Sequence, residues 1–342
     1  MPTFNEHLAD KTVERALLVN RAGAGSGKKI LKIMVEMERD IVSRLPEING
    51  GMTRARIQKQ LKIIRKIIAD YYSEIATTSA EDLAEIAKIE GRWQVYTINN
   101  IAGFEIASVL PSASVFEELA KETLIVGNVA SDWWDQQSTK LQNDFQRVVQ
   151  LGLSQGETNQ QITKRFKDVS GIAQNNAYAL VKTSTQAVAI NARNESMKAN
   201  DDLIAAKVSM ATLDSHTSIL CASYDKAEYN MQNEPINGNK RPYLEIPRHF
   251  NCRSMWSYAI KSFKELGLNI DDFKPSTRAS LDGQIPAATT FEQFLSGKSQ
   301  EWQDTYLGKG KAKLWRDGKI TLSDMVSGTG RELTLDELSK FD

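Results

Sequence analysis

Apolar residues recur at three- and four-residue steps through most of the first 165 positions, the spacing of helices that bury one face. Ile30, Ile33, Met34, Met37 and Ile41 form one such row, in a helix predicted from about Lys28 to Leu45. A longer row, Ile57, Leu61, Ile64, Ile68, Tyr71 and Ile75, marks another helix with Thr53 as its N-cap. Ahead of both, a first helix covers about Leu8 to Arg21. It is expected to stop at Gly23-Ala24-Gly25-Ser26-Gly27, because glycine runs end helices. Pro46 and Gly50-Gly51 break the chain again. Further helices are expected over 80–108, 114–125 and 131–153, the last capped by Ser131, with a short one from Gln155 through Phe166. Trp133-Trp134 reads as a helix-packing anchor, since aromatics of that size dominate burial.

Near Ser170 the pattern changes. One long Ala/Asn/Thr-rich helix is predicted from Ala173 to Ala199. VSMATLD (208–214) then alternates like a strand, and CRSMWSYAI (252–260) reads as a second. Between them, Asn230, Asn233, Pro235, Asn237-Gly238, Pro242 and Pro247 mark a long loop. The remainder is Gly-interrupted with short helices such as FEQFLSG and TLDELSKF. The expected fold class is α+β. A mostly helical N-terminal region, 1–165, leads into a compact core, 166–275, with a long helix on a small sheet. A short tail, 276–342, packs on that core.

Charge narrows the function classes. The 342 residues carry 43 Lys+Arg and 43 Asp+Glu, so a globally basic nucleic-acid coat is excluded while a local patch is not. Such a patch lies at 21–70, where twelve basic residues face five acidic ones. Arg54, Lys62, Arg65 and Lys66 sit off the apolar stripe of their helix and could follow a phosphate backbone of double-stranded DNA. The alternative is a solvated helix face. The N-terminus is charged throughout and no window matches a spanning helix, so neither a secretory leader nor a membrane partner is expected. Ala22 to Lys29 superficially resembles a phosphate-binding loop. It has Ala22 where Gly is needed and Lys29 where Ser or Thr is needed, and a linker is the better reading.

The candidate chemistry concentrates at 213–253. Both cysteines of the chain and two of its three histidines fall there: His216, Cys221, His249 and Cys252. Cys221 with His249-x-x-Cys252 makes a C…H-x-x-C set, with Asp214 or His216 as a fourth donor, which suits zinc. The alternatives are two buried reduced thiols beside a hydrogen-bonded histidine, or a Cys221–Cys252 disulfide. Asp214, His216, His249 and Arg253 could also form a nuclease-like acid/base set, and Cys221 with His249 a nucleophile pair. No local motif supports either, so no enzyme activity is expected. Asp214, Thr217, Asn251 and Arg253 read instead as a structural clamp, because Asp and Arg are seldom buried unpaired.

These segments resemble the phage head morphogenesis, or minor head protein, family, often called Mu F-like. The matching pieces are Lys182-Thr183, Asn191 and Arg193 on the long helix, then Thr212-Leu213-Asp214-Ser215-His216-Thr217 with Cys221. Pro247-Arg248-His249-Phe250-Asn251-Cys252-Arg253 completes them. Lys182 and His216 stand where that family usually has Arg. Residues 125–166 and 280–326 resemble the segments flanking the family's core. The resemblance implies a structural protein of a tailed phage or prophage, made in the host cytoplasm and located in the virion, at the capsid interior or portal region. It would act in head morphogenesis with portal protein or major capsid protein as partners, and in DNA packaging or delivery.

Overall fold

The computed structural model describes residues 3–48, 51–268 and 276–339. Gly50, the expected boundary at 275 and the end of the TLDELSKF segment lie outside them. The fold class is α+β. Three long helices, α1 (Thr3–Arg44), α2 (Arg54–Ala102) and α5 (Asn159–Lys198), carry much of the chain. Shorter helices α3 (Ala113–Glu122) and α4 (Ala130–Ser154) lie between α2 and α5. Two compact units result: residues 20–88 with 113–188, and residues 1–19, 89–112 and 189–342. This grouping cuts across the boundaries at 165 and 275, since the first 19 residues join the sheet-bearing unit and 166–188 join the helical one.

In the helical unit the predicted rows are the core. Ile30, Met34, Met37 and Ile41 of α1 pack with Leu61, Ile64, Ile68 and Ile75 of α2, and with Phe145 and Phe166. Thr53 does cap α2, its hydroxyl accepting the Arg56 amide at 3.4 Å. Trp134 is buried beside Tyr72 and Trp133 donates its indole N–H to the Ile125 carbonyl, so the tryptophan pair is a packing anchor. At α4 the cap is Val129, with no side-chain bond, rather than Ser131.

The glycine run does not end a helix. α1 passes straight through it, because two of its glycines let α5 approach. A Cβ on Gly23 would lie 3.3 Å from the Lys182 Cα, and one on Gly27 would lie 2.6 Å from the Tyr178 ring. Likewise α2 absorbs the helix expected at 80–108 but ends earlier, at Ala102, and α5 fuses the short helix through Phe166 with the long one after Ala173.

In the sheet-bearing unit, strands β1 (Ile204–Met210), β2 (Glu228–Tyr229) and β3 (Met255–Ile260) form an antiparallel sheet in the order β2-β1-β3. β1 therefore lies four residues earlier than VSMATLD suggests. It stops at Met210 because the next amide, of Ala211, donates to the Asp225 carboxylate at 2.8 Å rather than to a strand. Six of its seven residues are buried, which removes the alternation that signals a half-exposed strand. The tail adds the hairpin β4 (Thr277–Ser280) and β5 (Gly283–Pro286), then short helices between Phe291 and Leu338. α6 (Ile219–Ser223) contributes Ile219 and Ala222 to a core with Phe291, Leu295, Leu307 and Met325 of the tail. The tail thus packs on the segment that follows β1. No helix among the described residues is long and apolar enough to cross a membrane.

Candidate functional site

The site is assembled from the two chain segments that leave β1 and enter β3. After β1 the chain turns at Asp214, and Ser218 caps α6 by accepting the Cys221 amide at 3.1 Å. One helical turn later, Cys221 is buried. On the other segment His249 to Cys252 form a tight turn, closed by the Cys252 amide on the His249 carbonyl at 3.1 Å. Asn251 occupies its third position with φ 60°, a left-handed conformation that Asn tolerates better than most residues.

These turns bring three ligand atoms together. Cys221 Sγ lies 3.3 Å from His249 Nε2 and 3.6 Å from Cys252 Sγ. All three atoms fall within 4.8 Å of one another, so the group could hold a metal ion. His249 Nδ1 sits 2.9 Å from the Phe250 carbonyl. A carbonyl can only accept, so Nδ1 carries a proton and Nε2 is the ring atom turned toward the sulfurs, the orientation of a histidine ligand held by an outer hydrogen bond. Ser218 Oγ is 2.9 Å from the same Nε2.

The two thiols are unequal. The hydrogen bond from Cys252, with further help from His249 and the Arg248 charge, holds Cys221 well below the usual thiol range. The same bond, with burial, pushes Cys252 well above it. The Cys221 sulfur raises His249 in turn, against burial. One thiolate is therefore already favoured, and thiolate is the form that ligates metal.

His216 is not in this group. Its side chain is exposed, and its backbone amide donates to Asp214 Oδ1 at 2.9 Å. Asp214 is not a ligand either, because Arg253 grips both of its oxygens at 2.5 Å. Thr217 donates to the Thr212 carbonyl at 2.5 Å and lies 3.4 Å from Arg253 Nη2. Asp214, Thr217 and Arg253 thus form the clamp between the two segments, while Asn251 shapes the adjoining turn. Burial works to raise the Asp214 carboxyl, and the Arg253 hydrogen bonds and charge reverse this, leaving it below its ordinary 3.8.

The nuclease-like set is not assembled as a pool of free groups. Asp214 is committed to Arg253 and His249 to Cys221. Cys221 as a nucleophile meets a different obstacle, since it is only 2% exposed.

Other functional candidates are scattered. On α2, Arg54 and Lys62 are exposed, as are Arg56 and Lys59. Lys66 is paired with Asp70 at 2.6 Å. Arg65 is half-buried and donates to Asn143 at 2.8 Å in an exposed hydrogen bond. On α5, Arg193 is buried against Glu90 and over the Trp93 ring, and Arg15 reaches the same carboxylate at 2.7 Å.

Two features escaped the sequence reading. The long loop is pinned by a Tyr229–Tyr243–Trp256 aromatic cluster, with Arg248 over Tyr224 and bonded to Ser209. Lys207, in the middle of β1, is buried with its ammonium 4.7 Å from the Tyr243 ring centre and bonded to Asn233. Burial lowers it to about 8. Only the aromatic spacing across the loop could have signalled this. No family model, no curated protein and no solved structure matches the chain.

Proposed function

We propose that the chain is a structural minor head protein of a tailed phage, acting in head morphogenesis beside portal and major capsid proteins and residing in the virion. The observation that carries this reading is the meeting of its two motif blocks. Thr212 to Cys221 and Pro247 to Arg253, the segments that resemble the minor head family, are joined by the Asp214–Arg253 clamp and by Cys221, His249 and Cys252. A knot of this kind fixes a surface loop to the sheet. Its polar groups are spent on one another, which suits an architectural role better than hydrolysis.

Zinc is the ion this donor set would take. With bonds of about 2.3 Å to sulfur and about 2.0 Å to nitrogen, a tetrahedron has S–S and S–N edges of roughly 3.8 and 3.5 Å. Two of the three separations, 3.6 and 3.3 Å, fall within a few tenths of an ångström of those edges, and the third lies within 4.8 Å.

Co-expression with the portal and major capsid proteins of a tailed phage tests the reading. The chain should sediment with procapsids and withstand washing. Recovery only in the soluble fraction, with either partner present, would overturn it.

DNA contact is a second reading, favoured by one observation. Between Arg54 and Ala69 the sequence has six basic residues and no acidic one. Arg54, Arg56, Lys59 and Lys62 are exposed, with no ion-pair partner among the described residues.

A further inference from the structure

A tetrahedral ion on Cys221, His249 and Cys252 has one vertex left, and the surroundings indicate what occupies it. Ser218 Oγ touches His249 Nε2, and Ser218 also lines a cavity of about 640 Å³ between the start of α6 and the tail helix α8 (Gln300–Leu307). From this structure we infer that the fourth vertex opens on that cavity, making the centre a binding site for an external neutral ligand. This rests on the metal reading of the Cys221–His249–Cys252 group.

Three properties of the wall define the ligand. Trp302 and Tyr306, stacked on each other with ring centres 5.3 Å apart, supply aromatic surface to the wall. The Tyr306 hydroxyl is buried and has no hydrogen-bond partner among the described residues, so a polar partner there would satisfy it. Thr217, Ser218, Ser299 and Thr305 add hydroxyls, while the charged residues in the wall are the carboxylates Glu301 and Glu332. Among the described residues no lysine or arginine lines the cavity, so an anion finds no side-chain counter-charge there. The chemistry fits a neutral, hydroxyl-bearing ligand that lies on the aromatic face, meets the Tyr306 hydroxyl and brings one oxygen or nitrogen to the metal. The charges of Cys221 and Asp214 both bear on the Tyr306 hydroxyl, which puts this wall within electrostatic reach of the metal group. Three protein ligands with one exchangeable position distinguish ligand-binding metal sites from closed structural ones.

Cobalt substitution tests this on the intact chain. Cobalt bound by the two thiolates gives a charge-transfer band in the near ultraviolet and tetrahedral bands in the visible. Imidazole, a neutral donor, should shift the visible bands saturably at a lower concentration than azide, an anion. Thr305→Trp, which fills the cavity away from the ligands, should raise the half-saturating imidazole concentration at least tenfold with the charge-transfer band intact. Visible bands that ignore imidazole would overturn the inference and leave the metal reading standing, with Ser218 the candidate for the closing ligand. An imidazole shift indifferent to Thr305→Trp, or azide binding the tighter, would overturn the cavity route or the ligand class. Absence of the charge-transfer band removes the metal reading itself.

Discussion

Asp225 and Arg278 form an ion pair sealed from water, each side chain 1% exposed, although 53 positions separate them in the chain. Arg278 donates to both Asp225 oxygens and to the carbonyls of Ala211 and Thr289. Asp225 accepts in addition the amides of Ala211 and Phe291. The pair thus ties the end of β1, the turn after α6, the β4–β5 hairpin and the start of the last helices into one hub. Removing one partner leaves a buried charge without compensation, at a cost of about 3–5 kcal/mol. Arg278→Met should therefore lower unfolding stability by that order and expose the tail after 276 to limited proteolysis. Asp225→Leu with Arg278→Met should recover part of the loss. If Arg278→Met melts with the wild type and resists protease equally, the hub is not what holds the tail.

The glycines of α1 give opposing expectations. Gly25 is exposed, and a Cβ there meets nothing within 4 Å. Gly25→Ala should stabilise by about 0.5–1 kcal/mol, the helix-propensity difference. Gly23 is buried, with the backbone of Lys182 and the Thr185 Cβ at 3.3 and 3.2 Å from the added methyl. Backbone cannot swing aside as a side chain can, so Gly23→Ala should lose that gain and destabilise. Thermal melts of the two variants check this, and a stabilised Gly23→Ala would show that the close approach of α1 and α5 is not needed.

That contrast also explains what could be read from the sequence. The apolar rows of α1 and α2 were legible because three- and four-residue spacing reports one buried face directly. The glycine run was not, because a glycine that ends a helix and one that admits a neighbouring helix look alike until the neighbour is known. The Cys221, His249 and Cys252 group was legible because H-x-x-C is the reach of one turn. His216 looked equally apt as a ligand, yet its sequence neighbourhood could not reveal that its side chain faces solvent. Arg65 resembled Lys62 in pattern, and only the presence of Asn143 beside it reveals that its guanidinium is engaged. Lys207 and the Asp225–Arg278 hub were invisible for a common reason: charged residues are read as surface, and their burial depends on partners tens of positions away.

The clamp carries a pH signature. Asp214 is held below its ordinary 3.8 in the fold, its burial outweighed by Arg253. A carboxyl depressed in the folded state contributes stability that is present above its unfolded value and is lost as pH falls through the folded one. Stability should thus decline below about pH 4 as Asp214 takes up a proton. Arg253→Met should lose about 2 kcal/mol at pH 7, the scale of hydrogen bonds to a charged group. It should also shed the Asp214 part of the acid dependence. Denaturant midpoints of both proteins between pH 3 and pH 7 provide the comparison. Parallel curves would show that Asp214 is not coupled to Arg253 in solution.

Contact with DNA, if made by α2, should be salt-steep and sequence-blind. Each phosphate neutralised on duplex DNA contributes about −0.9 to the slope of log K against log salt. Arg54→Glu with Lys62→Glu should flatten that slope by about 2, with little effect on folding because both side chains are exposed. Arg65→Glu behaves differently, since it breaks the bond to Asn143 and should lower stability. No binding at low salt would eliminate this surface as a DNA contact.

The metal reading makes the sharpest stoichiometric prediction. Elemental analysis of the purified chain should return about one zinc per molecule, given a three-residue site with a histidine held by an outer hydrogen bond. Cys221→Ser and Cys252→Ser should each abolish it, whereas His216→Ala should not, because His216 lies outside the ligand group. Bound metal stabilises only the folded state, by about 4 kcal/mol when its concentration exceeds Kd a thousandfold. Chelation should therefore lower the melting temperature of the wild type and leave Cys252→Ser unchanged. Thiol titration in denaturant supplies the independent count: both thiols should react, and their reaction should release about one zinc per chain to a metal-sensitive dye. A metal-free preparation with both thiols unreactive until unfolding would instead make Cys221, His249 and Cys252 a hydrogen-bonded core, and the architectural role would then rest on the Asp214–Arg253 clamp alone.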